Sequence, residues 1–185
     1  MAPRAPARRR GTARVAAPAH VGLAVSMGDE VRVAAPGDID VLAGALGPRH
    51  HAFFRSRMPQ MRRGLGETLL AFRGGHVVGT VFVSWDVADE PAVRKYLPGV
   101  PIIFHLHVAP PYRRQGVATA LIRHAEARLR RRGYSRVLLG LDISNEPARR
   151  LYRRLGYVQP DEPELRGLEA PAEPYDILVA DLHRT

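Results

Sequence analysis

The first chemistry that the sequence suggests is the binding of an anion by the segment Arg113–Ala118. The segment lies between a predicted strand and a predicted helix. The first turn of a helix leaves backbone N–H groups without partners, and the helix dipole favours a negative charge there. Gly116 lets the backbone approach the anion, and Arg113 and Arg114 supply charged donors. The pattern predicts a phosphate site, although an ordinary strand-to-helix turn would use the same glycine for steric reasons.

A second segment, Asn145–Tyr157, has the pattern of a short capped helix. Asn145 is a favourable N-cap residue, and Pro147 falls in the first turn, where no N–H is needed. Tyr152 lies beside the predicted buried stripe of this helix. Its phenol could donate a proton to a substrate, or the ring could be an aromatic residue at the edge of the core.

The elements that position these two segments follow from the spacing of apolar residues and from the breakers between them. The pattern predicts strands over Val31–Ala34, Thr68–Phe72, Val77–Trp85, Ile102–Val108, Arg136–Asp142 and Asp176–Leu182. It predicts helices from Asp38, over His51–Arg62, over Gly116–Arg132 and over Glu146–Leu155. On the third of these helices, Glu126 and Arg130 are one turn apart and are expected on the exposed face.

The composition limits the classes of protein that the chain can belong to. No cysteine is present, which excludes disulfides, thiolate nucleophiles and cysteine-ligated metals. No apolar run is long enough to cross a bilayer, so the expectation is a cytoplasmic protein without a membrane partner. The chain has a single lysine among 28 basic residues. We interpret this skew toward arginine, together with the many alanines, as a bacterial coding bias.

The net charge of +10 is unevenly distributed. Residues 1–28 contain five arginines and no acidic residue, and they show no apolar periodicity, which predicts a disordered Ala/Pro/Arg-rich tail. The remaining charge, about +5, suits an anionic ligand. Zinc-finger spacing and aromatic-basic RNA motifs do not accompany it, so nucleic acid is not the expected partner.

Together, the two segments resemble the GNAT superfamily of N-acetyltransferases. Arg113-x-x-Gly116-x-Ala118 is similar to its pyrophosphate signature, and Asn145-x-x-Ala148-x-x-Leu151-Tyr152-x-x-x-Gly156-Tyr157 is similar to its second coenzyme motif. The resemblance implies an α/β (α+β mixed) fold in a single domain over residues 29–185. Its central sheet would be mixed, mostly antiparallel and flanked by helices. It also implies an acetyl-CoA-dependent N-acetyltransferase.

The resemblance further implies which residues hold acetyl-CoA. The N–H groups from Gln115 to Thr119 would bind the pyrophosphate, and Asn145 would bind the coenzyme arm. The arm would insert where the strand Leu106–Val108 diverges from the strand Val137–Asp142. The expected coenzyme contacts are Leu106, Val108, Arg113, Arg114, Gln115, Gly116, Val117, Ala118, Thr119, Asn145 and Tyr152.

The catalytic roles also follow from the resemblance. The N–H of Val108 would donate to the oxyanion, and Tyr152 would protonate the departing thiolate. Family members commonly have an acidic base on the central strand, where this sequence has His105 and His107. We therefore expect His105 as the base, because an unperturbed histidine pKa suits that role. Two alternatives stay open: the histidines only pack, or the base is a carboxylate, for which the candidates are Glu67, Asp86 and Glu90.

No metal is expected, because no plausible third ligand accompanies the two histidines. The expected partners are acetyl-CoA and a primary amine of a small molecule or peptide, with direct transfer in a ternary complex. The segments expected to face the acceptor are His51–Glu67, Asp86–Pro101 and Pro160–Pro174. The rival hypothesis is a non-catalytic acyl-CoA-binding or nucleic-acid-binding module on the same fold. Dimers are common in the family, so a homodimer also stays open.

Overall fold

The computed structural model describes residues 30–35, 37–86, 88–169 and 174–183. The predicted tail, residues 1–28, lies outside these ranges. The strands are β1 (Glu30–Val33), β2 (Gly66–Arg73), β3 (His76–Ser84), β4 (Ile102–Val108), β5 (Arg136–Asp142) and β6 (Tyr175–Asp181). The helices are α1 (Asp38–Leu46), α2 (Pro48–Arg62), α3 (Pro91–Tyr96), α4 (Val117–Arg131) and α5 (Glu146–Arg154), with 3-10 turns at Pro110–Tyr112 and Pro163–Leu165.

The six strands form one sheet in the order β1-β2-β3-β4-β5-β6. Every neighbouring pair is antiparallel except β4 and β5, which are parallel. The β2–β3 hairpin turns through Gly74 and Gly75, which both have positive φ, a conformation that glycine adopts without steric cost. The predicted fold class, a mixed and mostly antiparallel sheet flanked by helices, is therefore confirmed.

Helices cover both faces of the sheet because its central strands are apolar on both sides. On β2, Leu69 belongs to the core cluster that also contains the buried face of α4, whereas Leu70 belongs to a cluster with residues of α1 and α2. Successive side chains of a strand point to opposite faces, so α4 lies on one face and α1 and α2 lie on the other. In the described part of the chain, no helix is long and apolar enough to span a membrane.

Two elements differ from the sequence prediction. Helix α2 begins at Pro48 rather than at His51, which places a proline in its first turn, where its missing N–H costs nothing. Helix α3 was not predicted, because its segment is short and polar. It forms because Pro91 starts it and because Val93 and Leu97 are buried against β5 and β6.

The expected exposure of Glu126 is wrong. Only 2% of this residue is exposed, and its carboxylate accepts a hydrogen bond from Arg123 at 2.8 Å rather than pairing with Arg130. The apolar periodicity of α4 predicts one buried face that does not include position 126. The structure also buries the neighbouring position, Glu126, because Tyr157 from beyond α5 lies against it.

Candidate active site

The parallel strands β4 and β5 separate shortly after they begin. Their pairing consists of Ile102 with Leu138 and Ile103 with Leu139. Beyond Ile103, strand β4 has a bulge against β3, and His105 lies within it at φ 56°. A bulge adds one unpaired residue and bends its strand. The bend opens a gap between the C-terminal halves of β4 and β5, as the sequence predicted.

The backbone of Val108 faces this gap. The N–H of the next residue, Ala109, donates to the carbonyl of Val78 on β3 at 2.9 Å. Since neighbouring residues of a strand direct their N–H groups to opposite sides, the N–H of Val108 points away from β3 and toward the gap. The carbonyl of Val108 points the same way and accepts a hydrogen bond from Nε of Arg113 at 3.0 Å.

The turn between β4 and α4 is built around two residues in the left-handed region. Arg114 has φ 60°, and Gly116, the N-cap residue of α4, has φ 87°. The side chain of Gln115 fixes the turn: its amide nitrogen donates to the carbonyl of Pro111 at 2.7 Å, and its amide oxygen accepts from Arg73. The first N–H groups of α4, from Val117, Ala118 and Thr119, have no intrahelical acceptor. Alternating turns of this kind make concavities that bind anions.

Helix α5 places two further predicted residues. The side-chain oxygen of Asn145 accepts from the N–H of Ala148 at 3.1 Å, which leaves its amide N–H groups for a ligand. Tyr152 is 7% exposed and packs at 5.7 Å from the ring of Tyr157. Burial raises the pKa of Tyr152 to about 12, so its phenol is protonated at neutral pH. Leu106 and Val108 pack against the same core cluster as Tyr152.

The two histidines of β4 meet a third histidine that the sequence did not identify. Nδ1 of His50, near the start of α2, lies 3.1 Å from Nε2 of His105. The ring of His50 also lies 3.8 Å from the ring of His107, and His105 stacks on Phe53 at 3.7 Å. We call His50, His105 and His107 the histidine cluster. No local signal in the sequence marks His50, because only the packing of α2 on β4 brings it to the other two.

Burial keeps the histidine cluster neutral. Burial first, and then the neighbouring imidazoles and arginines, lower the pKa of His105 and of His107 to about 4. The pKa of His50 is also lowered, first by burial and then by Arg49. At neutral pH each imidazole carries one N–H and one lone pair, and the lone pair of either His50 or His105 accepts the hydrogen bond between them. Among the described residues, no group of three or more His, Cys, Asp or Glu side chains is arranged to hold a metal ion.

The lowered pKa values make folding stability depend on pH. An unfolded histidine has a pKa of about 6.5, so below that pH the unfolded chain binds protons, whereas the folded histidine cluster stays unprotonated. Stability is therefore fully present above about pH 6.5 and is lost as the pH falls toward 4. We expect the Tm to fall between pH 7 and pH 5 in thermal melts. The double variant His105→Phe/His107→Phe should show a shallower fall, and an identical slope would contradict this origin.

A cavity of about 480 Å³ opens beside the point where β4 and β5 separate. Phe104 and Gly140, the first residues of the two strands beyond their pairing, both line it. Helix α2 and the segment around α3 also line it, together with residues of β3 and β6. Two of the three segments expected to face the acceptor thus contribute lining residues, and their contact with an acceptor stays a prediction. The third, Pro160–Pro174, contributes no lining residue in its described part.

The three carboxylates that were alternative bases have different environments. Glu67 is 7% exposed and is bound by Arg128 through two hydrogen bonds and by Arg132 at 3.7 Å, so its lone pairs are engaged. Asp86 lines the cavity and lies 3.7 Å from Arg63. Glu90 lines the cavity beside Tyr175, whose pKa is raised by burial and then by Glu90.

The pairing of Glu67 predicts a structural role. Arg128→Ala should lower the free energy of unfolding by about 2 kcal/mol, because it leaves a buried carboxylate with one distant partner. Chemical denaturation checks this value, and turnover per folded molecule should not change. Arg131→Ala, an exposed position on the same helix, is the matched control and should cost less than about 0.5 kcal/mol. Equal losses for the two variants would contradict the role.

Sequence and structure comparisons bear on this arrangement. The family model for the acetyltransferase (GNAT) family matches residues 41–157. The chain is 38% identical over 92 residues to a mouse (Mus musculus) protein named probable N-acetyltransferase family 8 member 5; the match covers 50% of this chain and 38% of that one. It is 36% identical over 93 residues to rat (Rattus norvegicus) N-acetyltransferase 8, covering 50% and 40%. The chain thus spans about two fifths of the length of these curated relatives.

Solved structures show the same fold. A GNAT-family acetyltransferase from Desulfovibrio desulfuricans aligns with a TM-score of 0.64 at 16% identity, covering 83% of this chain and 99% of that one. A GNAT family N-acetyltransferase from Escherichia coli in complex with CoA aligns with a TM-score of 0.57 at 25% identity, covering 83% and 81%.

The fold is that of the GNAT acyltransferases, and it contains the diverging strands β4 and β5 and the turn at Gly116. The chain belongs to the acetyltransferase (GNAT) family.

Proposed function

We propose that this chain is an acetyl-CoA-dependent N-acetyltransferase that acts on a primary amine of a small molecule or peptide. The observation that carries the proposal is the continuity of the site. Strand β4 borders the gap, exposes the N–H of Val108 to it, and leads through one 3-10 turn into the anion-binding turn at Gly116. A buried phenol, Tyr152, packs on the same core cluster.

Acetyl-CoA would bind along this path. The pyrophosphate would contact the N–H groups from Gln115 to Thr119, where the helix dipole adds a favourable field. Arg113 and Arg114 would supply further positive charge. The pantetheine arm would pair with the open edge of β4 near Leu106 and Val108, as an added strand does. Two N-acetyltransferases of the same fold, from Thermoplasma acidophilum and Escherichia coli, have been solved in complex with CoA, which supports CoA as the ligand.

The transfer would proceed by direct attack of the amine on the thioester. The nitrogen forms a bond to the acetyl carbon, and the negative charge that develops on the carbonyl oxygen is stabilised by the N–H of Val108. The carbon–sulfur bond then breaks, and the thiolate takes the phenolic proton of Tyr152. His105 takes the proton that the amine loses. Since no cysteine is present, an acetyl-cysteine intermediate is not part of this scheme.

His50 supports the proposed role of His105. At 3.1 Å, its Nδ1 lies within hydrogen-bond distance of Nε2 of His105. In the proposed scheme Nε2 of His105 donates to Nδ1 of His50, which orients the ring and leaves the lone pair of Nδ1 of His105 for the proton of the amine. The lowered pKa of His105 keeps the ring ready to accept a proton but makes it a weak base in the free protein. An ammonium substrate has no lone pair for the attack, so it must first lose a proton to solution. His105 then takes a second proton from the nitrogen as the bond to the acetyl carbon forms.

Isothermal titration with acetyl-CoA, followed by a thiol-release assay over a panel of amines, tests the proposal. We expect saturable binding at micromolar concentrations and release of CoA only when an acceptor amine is present. Binding without turnover on any amine would support the rival acyl-CoA-binding module. Absence of binding at high micromolar concentrations would refute both. We also propose that the protein is bacterial and acts in the cytoplasm.

A further inference from the structure

The cavity beside the separating strands lies on the face of the sheet that α4 does not cover. Ile103 and Leu139 pack into the cluster that contains α4, whereas the cavity is lined by Ile102, Phe104 and Leu138, which are their neighbours along the strands. Because side chains alternate between faces, the cavity opens on the opposite side from the anion-binding turn. If acetyl-CoA enters as proposed above, this cavity is the place from which the acceptor reaches the thioester.

One arginine that lines the cavity has a buried nitrogen without a hydrogen-bond partner. The guanidinium carbon of Arg57 lies 5.2 Å from the ring centroids of both Phe53 and Phe104. Its Nε is buried and has no hydrogen-bond partner among the residues that the structure describes. Buried donors without partners are rare in folded proteins. The planar guanidinium fork matches a carboxylate, which can accept two parallel hydrogen bonds.

The opposite wall of the cavity is acidic. Asp89 and Glu90 line it, and no basic side chain in the described ranges lies within ion-pair distance of their carboxylates. Arg94 fixes this wall through the backbone, because it donates to the carbonyls of Ala88 and Asp89 at 3.0 and 2.9 Å. The cavity therefore has one guanidinium near Phe104 whose Nε lacks a hydrogen-bond partner, and two carboxylates on the segment that precedes α3 without an ion-pair partner among the described residues.

We propose that the acceptor is an α-amino acid with a basic side chain, an inference that rests on the proposed N-acetyltransferase activity. Arg57 binds the α-carboxylate beside Phe104, the first residue of β4 beyond its pairing with β5. The α-amine, which is joined to the same carbon, is then held at the opening of the gap. The side-chain cation extends to Asp89 and Glu90. The α-nitrogen forms the new amide bond as the carbon–sulfur bond of acetyl-CoA breaks, and CoA leaves as the thiol.

Four matched acceptors test this assignment in the thiol-release assay: lysine, cadaverine (lysine without the carboxylate), norleucine (lysine without the side-chain ammonium) and lysine amide. We expect lysine to give the highest kcat/KM, about tenfold or more above each of the other three, as the loss of one charged hydrogen-bonding group predicts. Mass spectrometry of the product should locate the acetyl group on the α-nitrogen.

Variants of Arg57 test the contact itself. Arg57→Met should lower the ratio of kcat/KM for lysine over cadaverine about tenfold or more, and Arg57→Lys, which keeps the charge but loses the fork, should lower it less. Arg55→Met, an exposed arginine on the same helix that does not line this cavity, is the control and should leave the ratio unchanged. Melting curves establish that each variant is folded, and titration with acetyl-CoA should give the same affinity for all.

Three results would overturn the assignment: cadaverine equal to lysine, acetylation only of the side-chain nitrogen, or turnover confined to peptides. An equal ratio for Arg57→Met and the wild-type chain would also overturn it. Each of these results leaves acetyl transfer itself intact. Failure to bind acetyl-CoA, in contrast, would count against the proposed function and is read from the titration alone.

Discussion

Tyr152→Phe should lower kcat by about a hundredfold or more, the range expected when a general acid is removed. The thiolate of CoA is then expelled without a proton donor. The affinity for acetyl-CoA should change by less than about threefold, because the change removes one hydroxyl and keeps the buried ring. Tyr152 suits the role because burial raises the pKa of its phenol to about 12, which keeps the proton in place until the thiolate forms.

Tyr157→Phe is the matched control for this experiment. The hydroxyl of Tyr157 is buried near Glu126, and burial followed by the charge of Glu126 raises its pKa. Removal of this hydroxyl should leave kcat within about twofold, because it touches no reacting atom in the proposed scheme. A Tyr152→Phe enzyme with unchanged kcat, or a Tyr157→Phe enzyme with an equal loss, would contradict the assignment of the acid.

The pKa of Tyr152 also predicts the alkaline side of the pH profile. A group with a pKa of about 12 stays protonated through pH 10, so kcat should not fall between pH 8 and pH 10 from loss of this proton. Stopped assays at saturating acetyl-CoA across this range measure the effect. A decline with an apparent pKa near 9, absent in Tyr152→Phe, would show that the bound coenzyme lowers the pKa of the phenol.

The parts of the fold that the sequence predicts best are those whose signals are local. Strand β4 and strand β5 have the predicted bounds, and α4 begins and ends within one residue of its prediction. Each is marked by an apolar pattern with a breaker beside it. Gly116 and Gly133 both have positive φ at the two ends of α4. Each glycine therefore marks one end of the helix in the sequence itself.

The parts that sequence reasoning missed depend on contacts between distant segments. His50 joins the histidine cluster only because α2 packs on β4, and Arg57 enters the cavity for the same reason. The bulge at His105 has no marker either, since its φ of 56° occurs in a residue other than glycine. The acceptor side of the site is therefore the less predictable side, because it is assembled from α2, α3 and the sheet rather than from one continuous motif.

Gly116→Val should weaken acetyl-CoA binding by about tenfold or more. At φ 87° a β-branched residue is strained by about 1–2 kcal/mol, so the turn relaxes toward another conformation. The N–H groups of Val117 and Ala118 then no longer converge on one point, and the pyrophosphate loses donors that are worth most when they are fixed in advance. Isothermal titration measures the change in Kd.

The same strain can be placed at the far end of the same helix. Gly133 has φ 86°, and a Cβ at either glycine would meet no heavy atom within 4 Å, so the two positions differ in location rather than in space. Gly133→Val should therefore lower the Tm about as much as Gly116→Val and leave the Kd for acetyl-CoA unchanged. If both variants weaken binding equally, general destabilisation of α4 explains the loss. If neither does, the turn at Gly116 is not where the pyrophosphate binds.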